Sequence, residues 1–352
     1  MDRFSLKTHL LCQGFTDKKG LLGAGRRGGA GPAGLAIEVD GFLVNIPLFQ
    51  GETRKSKIEI KKGNGGLKAV ADGNSYYVKK IGSPNFYTKS TSDGVPMKKI
   101  ALLHGRDCLA TTLYQSCILL KHGMGCGFCA IETSLQADRT ILEKKPAQLA
   151  EVAVEAVRDG ITHMTITTGT PNLRDHGSNM LASAVAAVKK NVDFPVHVQL
   201  TPPDRRGLER LHKSGADTIG IHVESFDKEV LKTVCPGKLG FDYTGAFKEA
   251  VEVFGENQVS SIVIAGLGED PKLMKTGFEE LASIGVIPFL VPFRPLPGSL
   301  LENRQPPKPG YMKKLYIDLA HVMHESGLRM DRHRAGCVKC GACSAVDLAM
   351  DA

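Results

Sequence analysis

The chain of 352 residues contains no tryptophan, and aromatic residues make up only 6% of it. Nucleic-acid surfaces combine clustered positive charge with aromatic stacking platforms. Here the net charge of +8 is dispersed, with only short runs such as Lys61-Lys62. A solvated surface or an anionic cofactor accounts for that balance without nucleic acid. No run of about 18 uncharged apolar residues occurs, so no segment reads as a membrane span. The opening MDRFSLKTHLLCQGF lacks the apolar core of a secretory leader. These absences point to the cytoplasm. In that compartment nine cysteines read as thiolate ligands or buried thiols rather than disulfides.

An apolar fraction of 42% is ample for a large core. The rhythm of the sequence changes near residue 105. Before it, the β-branched and aromatic runs LAIEVD, FLVNIPLF, SKIEIKK and NSYYVKKI are separated by Gly, Asn and Asp, the pattern of antiparallel hairpins. Residues 1–104 are therefore expected to form a small β-rich domain. Its GAGRRG at Gly23–Gly28 is formally a G-x-G-x-x-G. A dinucleotide site needs a helix next, and Pro32 with three further glycines argues for a mobile basic loop, with anion binding as the alternative.

Beyond residue 105 strands alternate with helices. The strand-like runs are TLYQSCILL, HMTITTG, VHVQLTPP, TIGIHVESF, SSIVIAG and IPFLVPFRP. Amphipathic stretches separate them, and YMKKLYIDLAHVMHESG follows the last. Such alternation implies parallel strands joined by right-handed crossovers. Six units fall short of the eight that close a full barrel. The expected fold is α/β, a partial (βα)6 barrel over residues 105–328, with its active site at the carboxyl ends of the strands. Residues 329–352 form a cysteine-rich tail.

Cys117, Cys126 and Cys129 fall within thirteen residues, at the end of the first expected strand and in the loop after it. One reading is structural zinc, with His104 or His122 as fourth ligand. Zinc sites usually combine close-spaced pairs, and no second pair is near in sequence. The loop GMGCGFCA instead offers glycines that let backbone wrap around a bulky cluster. Three thiolates on a four-iron cube leave one iron open to react.

With that triad, residues 105–330 resemble the radical S-adenosylmethionine (SAM) superfamily, in its biotin-synthase-like branch. The usual spacing there is C-x3-C-x2-C, and the eight-residue first gap departs from it; the C-x-aromatic-C ending at Cys126-Gly127-Phe128-Cys129 is retained. TTGTP at Thr167–Pro171 stands where that superfamily has a Gly-Gly-Glu-like turn, without the acid. HVES, ending at Ser225, is similar to the polar end of its fourth strand. IVIAGLGED at Ile262–Asp270 is similar to its G-x-I-x-G-x-x-E region, and VPFRPLPGSLLE to its Pro-rich sixth strand. At whole-chain level, GRRGGAGPAG, IALLHGRDCLATT and the terminal cysteines resemble an uncharacterised radical SAM family encoded beside a nitrilase and an acyltransferase, in gene clusters linked to cyanide or nitrile nitrogen use.

The resemblance implies a [4Fe–4S] cluster on Cys117, Cys126 and Cys129. SAM would be bound at the open iron and cleaved to a 5′-deoxyadenosyl radical that takes hydrogen from a small polar substrate. An electron donor such as flavodoxin or ferredoxin would feed it. Its expected SAM contacts are Phe128, Gly169, Thr170, Gln199, His222, Glu224, Ser225, Ala265, Gly266 and Leu267. His222 and Glu224, two apart on a strand, should face one side, as should Gln199 and Thr201. Lys238 offers charge to the SAM carboxylate or is an ordinary exposed lysine. Glu269 is expected to order the loop after strand five.

A second signal is Cys337, Cys340 and Cys343, a C-x2-C-x2-C of iron–sulfur type. It is expected to hold an auxiliary [4Fe–4S] cluster that takes up an electron, binds substrate or donates sulfur. Zinc with His333 is the alternative. The fourth ligand is left open among Cys12, Cys108, Cys235, substrate or nothing. The tail follows the sixth unit, where it could close over the barrel mouth. The competing class is a non-catalytic metal- or RNA-binding module with structural zinc.

Overall fold

A computed structural model describes residues 1–23, 34–47 and 56–351. Most of the GAGRRG segment lies outside the described residues. The chain opens with helix α1 (Arg3–Gln13), capped by the Asp2 carboxylate, which accepts from the Ser5 N–H at 2.7 Å. Sequence periodicity did not predict this helix; Phe4, Leu6, Leu10 and Leu11 are its buried apolar positions. Five strands follow: β1 (Leu35–Val39), β2 (Phe42–Ile46), β3 (Glu59–Gly63), β4 (Gly66–Ala71) and β5 (Asn74–Lys80). They form an antiparallel sheet in the order β2-β1-β5-β4-β3. Asp40-Gly41 and Asp72-Gly73 have positive φ at both residues, the two-residue hairpin geometry that matches strand twist.

Helix α2 (Met97–Ile100) leads into the second sheet: β6 (Leu102–His104), β7 (Cys108–Thr112), β8 (His163–Thr167), β9 (Val196–Leu200), β10 (Thr218–Ile221), β11 (Val259–Ala265) and β12 (Ile287–Pro292). Its order is sequential from β12 to β6. Strand β6 pairs antiparallel with β7, and the other pairs are parallel. The six parallel strands β7–β12 are the expected half-barrel. Short helices α3 (Ile118–Lys121) and α4 (Thr133–Gln136) lie in the first connection, ahead of α5 (Pro146–Arg158). The later connections carry α6 (Ser178–Lys189), α7 (Arg205–Lys213), α8 (Lys228–Val234), α9 (Tyr243–Phe254), α10 (Pro271–Ile284) and finally α11 (Pro309–Ser326).

The first parallel strand is Cys108–Thr112, upstream of the expected TLYQSCILL. Gln115 and Ser116 leave the sheet because their side chains are bound by the following loop. Gln115 Nε2 donates to the Ile131 carbonyl (2.8 Å) and Ser116 Oγ to Glu132 (2.6 Å). Ile118–Lys121 then forms a helical turn.

The strands are buried on both faces, yet the two faces differ. In β9, Val196, Val198 and Leu200 alternate with His197 and Gln199, so apolar and polar sets point opposite ways. His163 and Thr165 on β8, Thr218 on β10 and Cys108 on β7 share the polar interior face.

After α11 come the tail helices α12 (Gly336–Cys340) and α13 (Val346–Met350). The tail does not close over the barrel mouth. It meets the amino ends of the strands: the Gly336 N–H donates to His163 Nδ1 (3.1 Å), at the first residue of β8. The reason is topological. In each unit the helix returns the chain to the amino end of the sheet, and α11 delivers the tail there too. The tail also bonds the N-terminal sheet, where Asn45 N–H on β2 donates to the Ala342 carbonyl (2.7 Å). One apolar core runs from Phe4 through the barrel to Val346.

Candidate active site

Cys117 precedes α3, and Cys126 and Cys129 lie in the loop beyond, where the Cys129 N–H donates to the Cys126 carbonyl (2.9 Å). Neighbouring segments hold this loop. The Gly127 N–H donates to the Val234 carbonyl (2.7 Å), and the Leu301 N–H donates to the Gly127 carbonyl (3.0 Å). Burial pushes the Cys129 thiol up to about 12, and the adjacent Cys126 and Cys117 push it the same way. The three thiols thus lie within electrostatic reach of one another. Cys235 also belongs here, not to the tail. Its hydrogen bond to Cys126 lowers Cys126 toward thiolate and keeps the proton on Cys235. Cys126 and Phe128 pack against an apolar wall that includes Val234, Ile264, Leu267 and Phe293.

Among the described residues, no three Cys, His, Asp or Glu side chains close around a single-ion position. Three thiols within thirteen residues are the donor set that suits an iron–sulfur cluster.

The carboxyl ends of the next strands face this loop. The Gly169 N–H donates to the Tyr114 carbonyl (3.0 Å), and a β-carbon at position 169 would collide with the Ser116 carbonyl oxygen. Glycine is needed there for the TTGTP turn to lie against the cysteine loop. Buried Thr170 has its Oγ1 3.4 Å from Thr201 Oγ1, and its carbonyl accepts from the Ile118 N–H (2.8 Å).

The alternation expected through His222 and Glu224 is broken, because β10 ends at Ile221 and Glu224 has φ 64°. A non-glycine residue in that region is strained, and such strain gathers at functional sites. Buried Glu224 accepts from Lys238 Nζ (2.5 Å), which also donates to the His222 carbonyl (3.2 Å). Burial pulls Lys238 down, but Glu224, with Cys126 next, holds it well above the usual lysine range. Lys238 is thus a largely enclosed cation beside the cysteine loop, not an exposed lysine.

Ser225 Oγ accepts from the Asp227 N–H (3.2 Å) at the start of α8. After β11, Ala265 and Leu267 are buried, and Glu269 accepts from the N–H groups of Gly266 and Leu267 (2.8 Å each) and from Tyr311 (2.7 Å). Glu269 orders the loop, as expected.

Gln199, expected among the SAM contacts, points elsewhere: its Nε2 lies 3.5 Å from Cys337 Sγ. Cys337 and Cys340 are half-buried, and desolvation pushes both thiols up to about 12, with Cys343 the next contributor to each. Asn45 Nδ2 lies 3.5 Å from Cys343 Sγ. Arg294 donates from Nη2 to the Asn45 carbonyl (2.5 Å), while its buried Nη1 has no partner among the described residues. Sequence reasoning missed Asn45 and Arg294; the only signal was one polar residue in an otherwise apolar run.

Histidines crowd the same interior. His197 and His333 stack edge to face at 5.6 Å, and His197 Nδ1 lies 2.7 Å from Thr218 Oγ1. His333 Nδ1 donates to the Asn257 carbonyl (2.6 Å), so it is not free for the zinc role considered above unless through Nε2. His222 Nδ1 accepts from the Ile262 N–H (3.1 Å). Burial lowers His222 to about 3 and His333 to about 4, and holds His197 well below the usual range. The folded protein keeps these rings neutral, whereas the unfolded chain protonates them near pH 6.5. Below that pH the unfolded state binds more protons, so stability falls as pH drops from about 6.5 toward 4 and 3. Urea unfolding at several pH values should show this decline, and a flat profile between pH 6.5 and 4.5 would contradict the buried neutral rings.

Residues 123–276 match the model of the Radical SAM superfamily. The chain carries a radical SAM domain, and it is an enzyme. The match begins at Gly123, after Cys117, takes in Cys126 and Cys129, and ends in the first half of α10. Among curated proteins, the chain is 23% identical over 289 residues to bacteriochlorophyllide c C-7(1)-hydroxylase of Chlorobaculum limnaeum, covering 74% of this chain and 72% of that protein. It is 27% identical over 168 residues to lipoyl synthase of Geobacter sp. (strain M21). That match covers 46% of this chain and 54% of the synthase, so the chain spans about half the length of that relative. A solved structure of methylornithine synthase aligns at 16% identity with a TM-score of 0.49, covering 62% of each chain. Among the described residues, no helix is long and apolar enough to cross a membrane.

Proposed function

We propose that the protein cleaves SAM reductively at a [4Fe–4S] cluster on Cys117, Cys126 and Cys129 and directs the resulting radical at a small polar substrate inside the half-barrel. A second cluster on Cys337, Cys340 and Cys343 would lie at the opposite end of the strands. When bound, the first cluster with SAM supplies a 5′-deoxyadenosyl radical able to take hydrogen from an unactivated carbon. The protein's own part is orientation and exclusion of water. Lys238 and Glu224 set a fixed charge pair beside the cysteine loop, suited to the charged methionyl end of SAM. The wall of Val234, Ile264, Leu267 and Phe293 keeps that end of the barrel dry. Flavodoxin or ferredoxin is the class of donor that fits, and the cytoplasm the fitting compartment.

The observation that carries the two-cluster reading is the setting of the tail cysteines. Amide N–H groups from Gln199 and Asn45 aim at two of the sulfurs. Arg294 leaves a buried guanidinium nitrogen unpartnered, and Cys343 is the largest group favouring its charge. A buried cation without a partner is costly; an anionic thiolate cluster would supply one. Hydrogen bonds to sulfur also tune iron–sulfur potentials. A five-residue strand such as β9 spans about 16 Å at ~3.3 Å per residue, which sets the separation between the two ends. Thr165, Gln199 and His222 line that interval. The resemblance to the family encoded beside a nitrilase sets a nitrile-nitrogen context for the substrate.

The test is anaerobic reconstitution with iron and sulfide counting. Wild type should carry about eight irons per chain, taking four for each cube. The Cys337→Ala, Cys340→Ala, Cys343→Ala triple variant should keep about half of that iron and still form 5′-deoxyadenosine under dithionite. A full complement of iron in the triple variant would remove the tail from the reading, and zinc in its place would favour a structural metal.

A further inference from the structure

The β6–β7 hairpin, at the amino end of the sheet, is pressed against the tail. A β-carbon on Gly105 would lie 2.5 Å from Cys340 Sγ, and Gly105 already has φ 58°. No larger residue could occupy that turn while the cysteine stays where it is. Three residues on, Cys108 opens β7, paired with His104 on one side and with His163 on the other. Its thiol lies 3.5 Å from Thr165 Oγ1 and is fully enclosed. The tail comes to the same place from the opposite direction. The Gly336 N–H bonds His163, the β8 partner of Cys108, and the Gly336 Cα lies so close to the His197 ring that a side chain could not fit. Cys337 follows at once, fixed by Gln199 on β9. The hairpin thus carries Cys108 to the side of the sheet where Cys337 and Cys340 stand.

We infer that Cys108 is the fourth protein ligand of the tail cluster, so that Cys108, Cys337, Cys340 and Cys343 enclose one cube at the amino end of the barrel. This rests on the tail triad holding a cluster at all. Cys235 is hydrogen-bonded to Cys126 at the far end of the strands. Cys12, on α1, shares Arg294 with Cys343 and is the competing thiol, but neither the β6–β7 turn nor β7 brings it against Cys337 and Cys340 as they bring Cys108. Four protein thiolates leave no iron open. The tail cluster would then differ in kind from the cluster on Cys117, Cys126 and Cys129, which keeps one iron free. Substrate would lie beside the closed cube without bonding to its iron.

The experiment uses a full-length background in which Cys117, Cys126 and Cys129 are alanine, so that only the tail can load. After anaerobic reconstitution with ferrous iron and sulfide, iron and acid-labile sulfide are counted per chain, and the reduced protein is examined by electron paramagnetic resonance. The background should hold about four irons, one cube. Adding Cys108→Ala should remove at least half of them or convert the signal to that of a three-iron cluster. Adding Cys108→Ser, which offers an oxygen ligand of similar size, should retain iron with a shifted spectrum. Cys12→Ala should change neither reading. Thermal melts of the apo forms report folding, and if Cys108→Ala melts early the serine variant decides. Full iron and an unaltered spectrum in both Cys108 variants would overturn the fourth ligand while leaving the tail cluster standing. A background that binds no iron even with Cys108 intact would overturn both.

Discussion

Cys129→Ala should reduce 5′-deoxyadenosine formation from SAM to the background of dithionite alone, and Cys117→Ala and Cys126→Ala should do the same. Each variant should also lose about half of its reconstituted iron, the share of one cube in a two-cube chain. The argument is geometric. The loop is tied at Gly127 to the Val234 carbonyl and to the Leu301 N–H, and at Ile118 to the Thr170 carbonyl. These bonds do not involve the thiols, so the fold of the loop should survive the loss of any one sulfur. What disappears is the third attachment that orients a cube and its open iron. In the Cys117 and Cys129 variants Cys235 cannot replace it, because its proton is held by the bond to Cys126. In the Cys126 variant Cys235 is itself tied by its N–H to the Leu231 carbonyl, outside the loop that carries the other two sulfurs. Liquid chromatography of the quenched reaction makes the measurement. Undiminished product from all three variants would end the assignment.

Glu224→Ala should cost about 3–5 kcal/mol of stability, the usual penalty for removing one partner of a buried ion pair. The pair qualifies, with side chains 12% and 9% exposed for Lys238 and Glu224. Its loss would leave the Lys238 ammonium facing the His222 carbonyl and Cys126 without its carboxylate. Glu224→Gln combined with Lys238→Met, of similar volume and no net charge, should recover most of that stability. Affinity for SAM should follow another course: weakened in the single variant and still weak in the double, with iron content near that of wild type throughout. Denaturant titration of the apo protein and equilibrium dialysis of the reconstituted form separate the two effects. Iron loss in step with SAM affinity would mean that Glu224 supports the loop rather than the cofactor.

The half-barrel was legible because each unit states its own period. VHVQL and HMTIT alternate in twos, and the helices between them repeat apolar positions every three or four residues. The cysteine loop was legible for a similar reason, since Cys126, Phe128 and Cys129 are local. What escaped was whatever depends on segments remote in the chain. The first strand was misplaced because TLYQSCILL is as apolar as a strand, and only the bonds of Gln115 and Ser116 to residues 131 and 132 show that it has left the sheet. Gln199 was assigned by its strand to SAM, yet its partner lies 138 residues away. The direction of the tail followed from a rule already in hand, that each helix returns to the amino end, and Lys238 took its meaning from Glu224 once the backbone turned at φ 64°.

The placement of the tail also orders events in time. Asn45, Gly105, Cys108, His163 and Gln199, the groups that face the last cysteines, are all made before the ribosome reaches Cys337. Until those final residues emerge, the amino end of the barrel stands open and its polar groups meet water. The floor of the enzyme is thus laid last, by a segment more than two hundred residues downstream of the hairpin it touches. Closing so long a span early would be slow, and here translation itself enforces the delay. A chain interrupted between Pro292 and Cys337 could carry all six strands and the first cysteine loop, yet have no means of shutting its base.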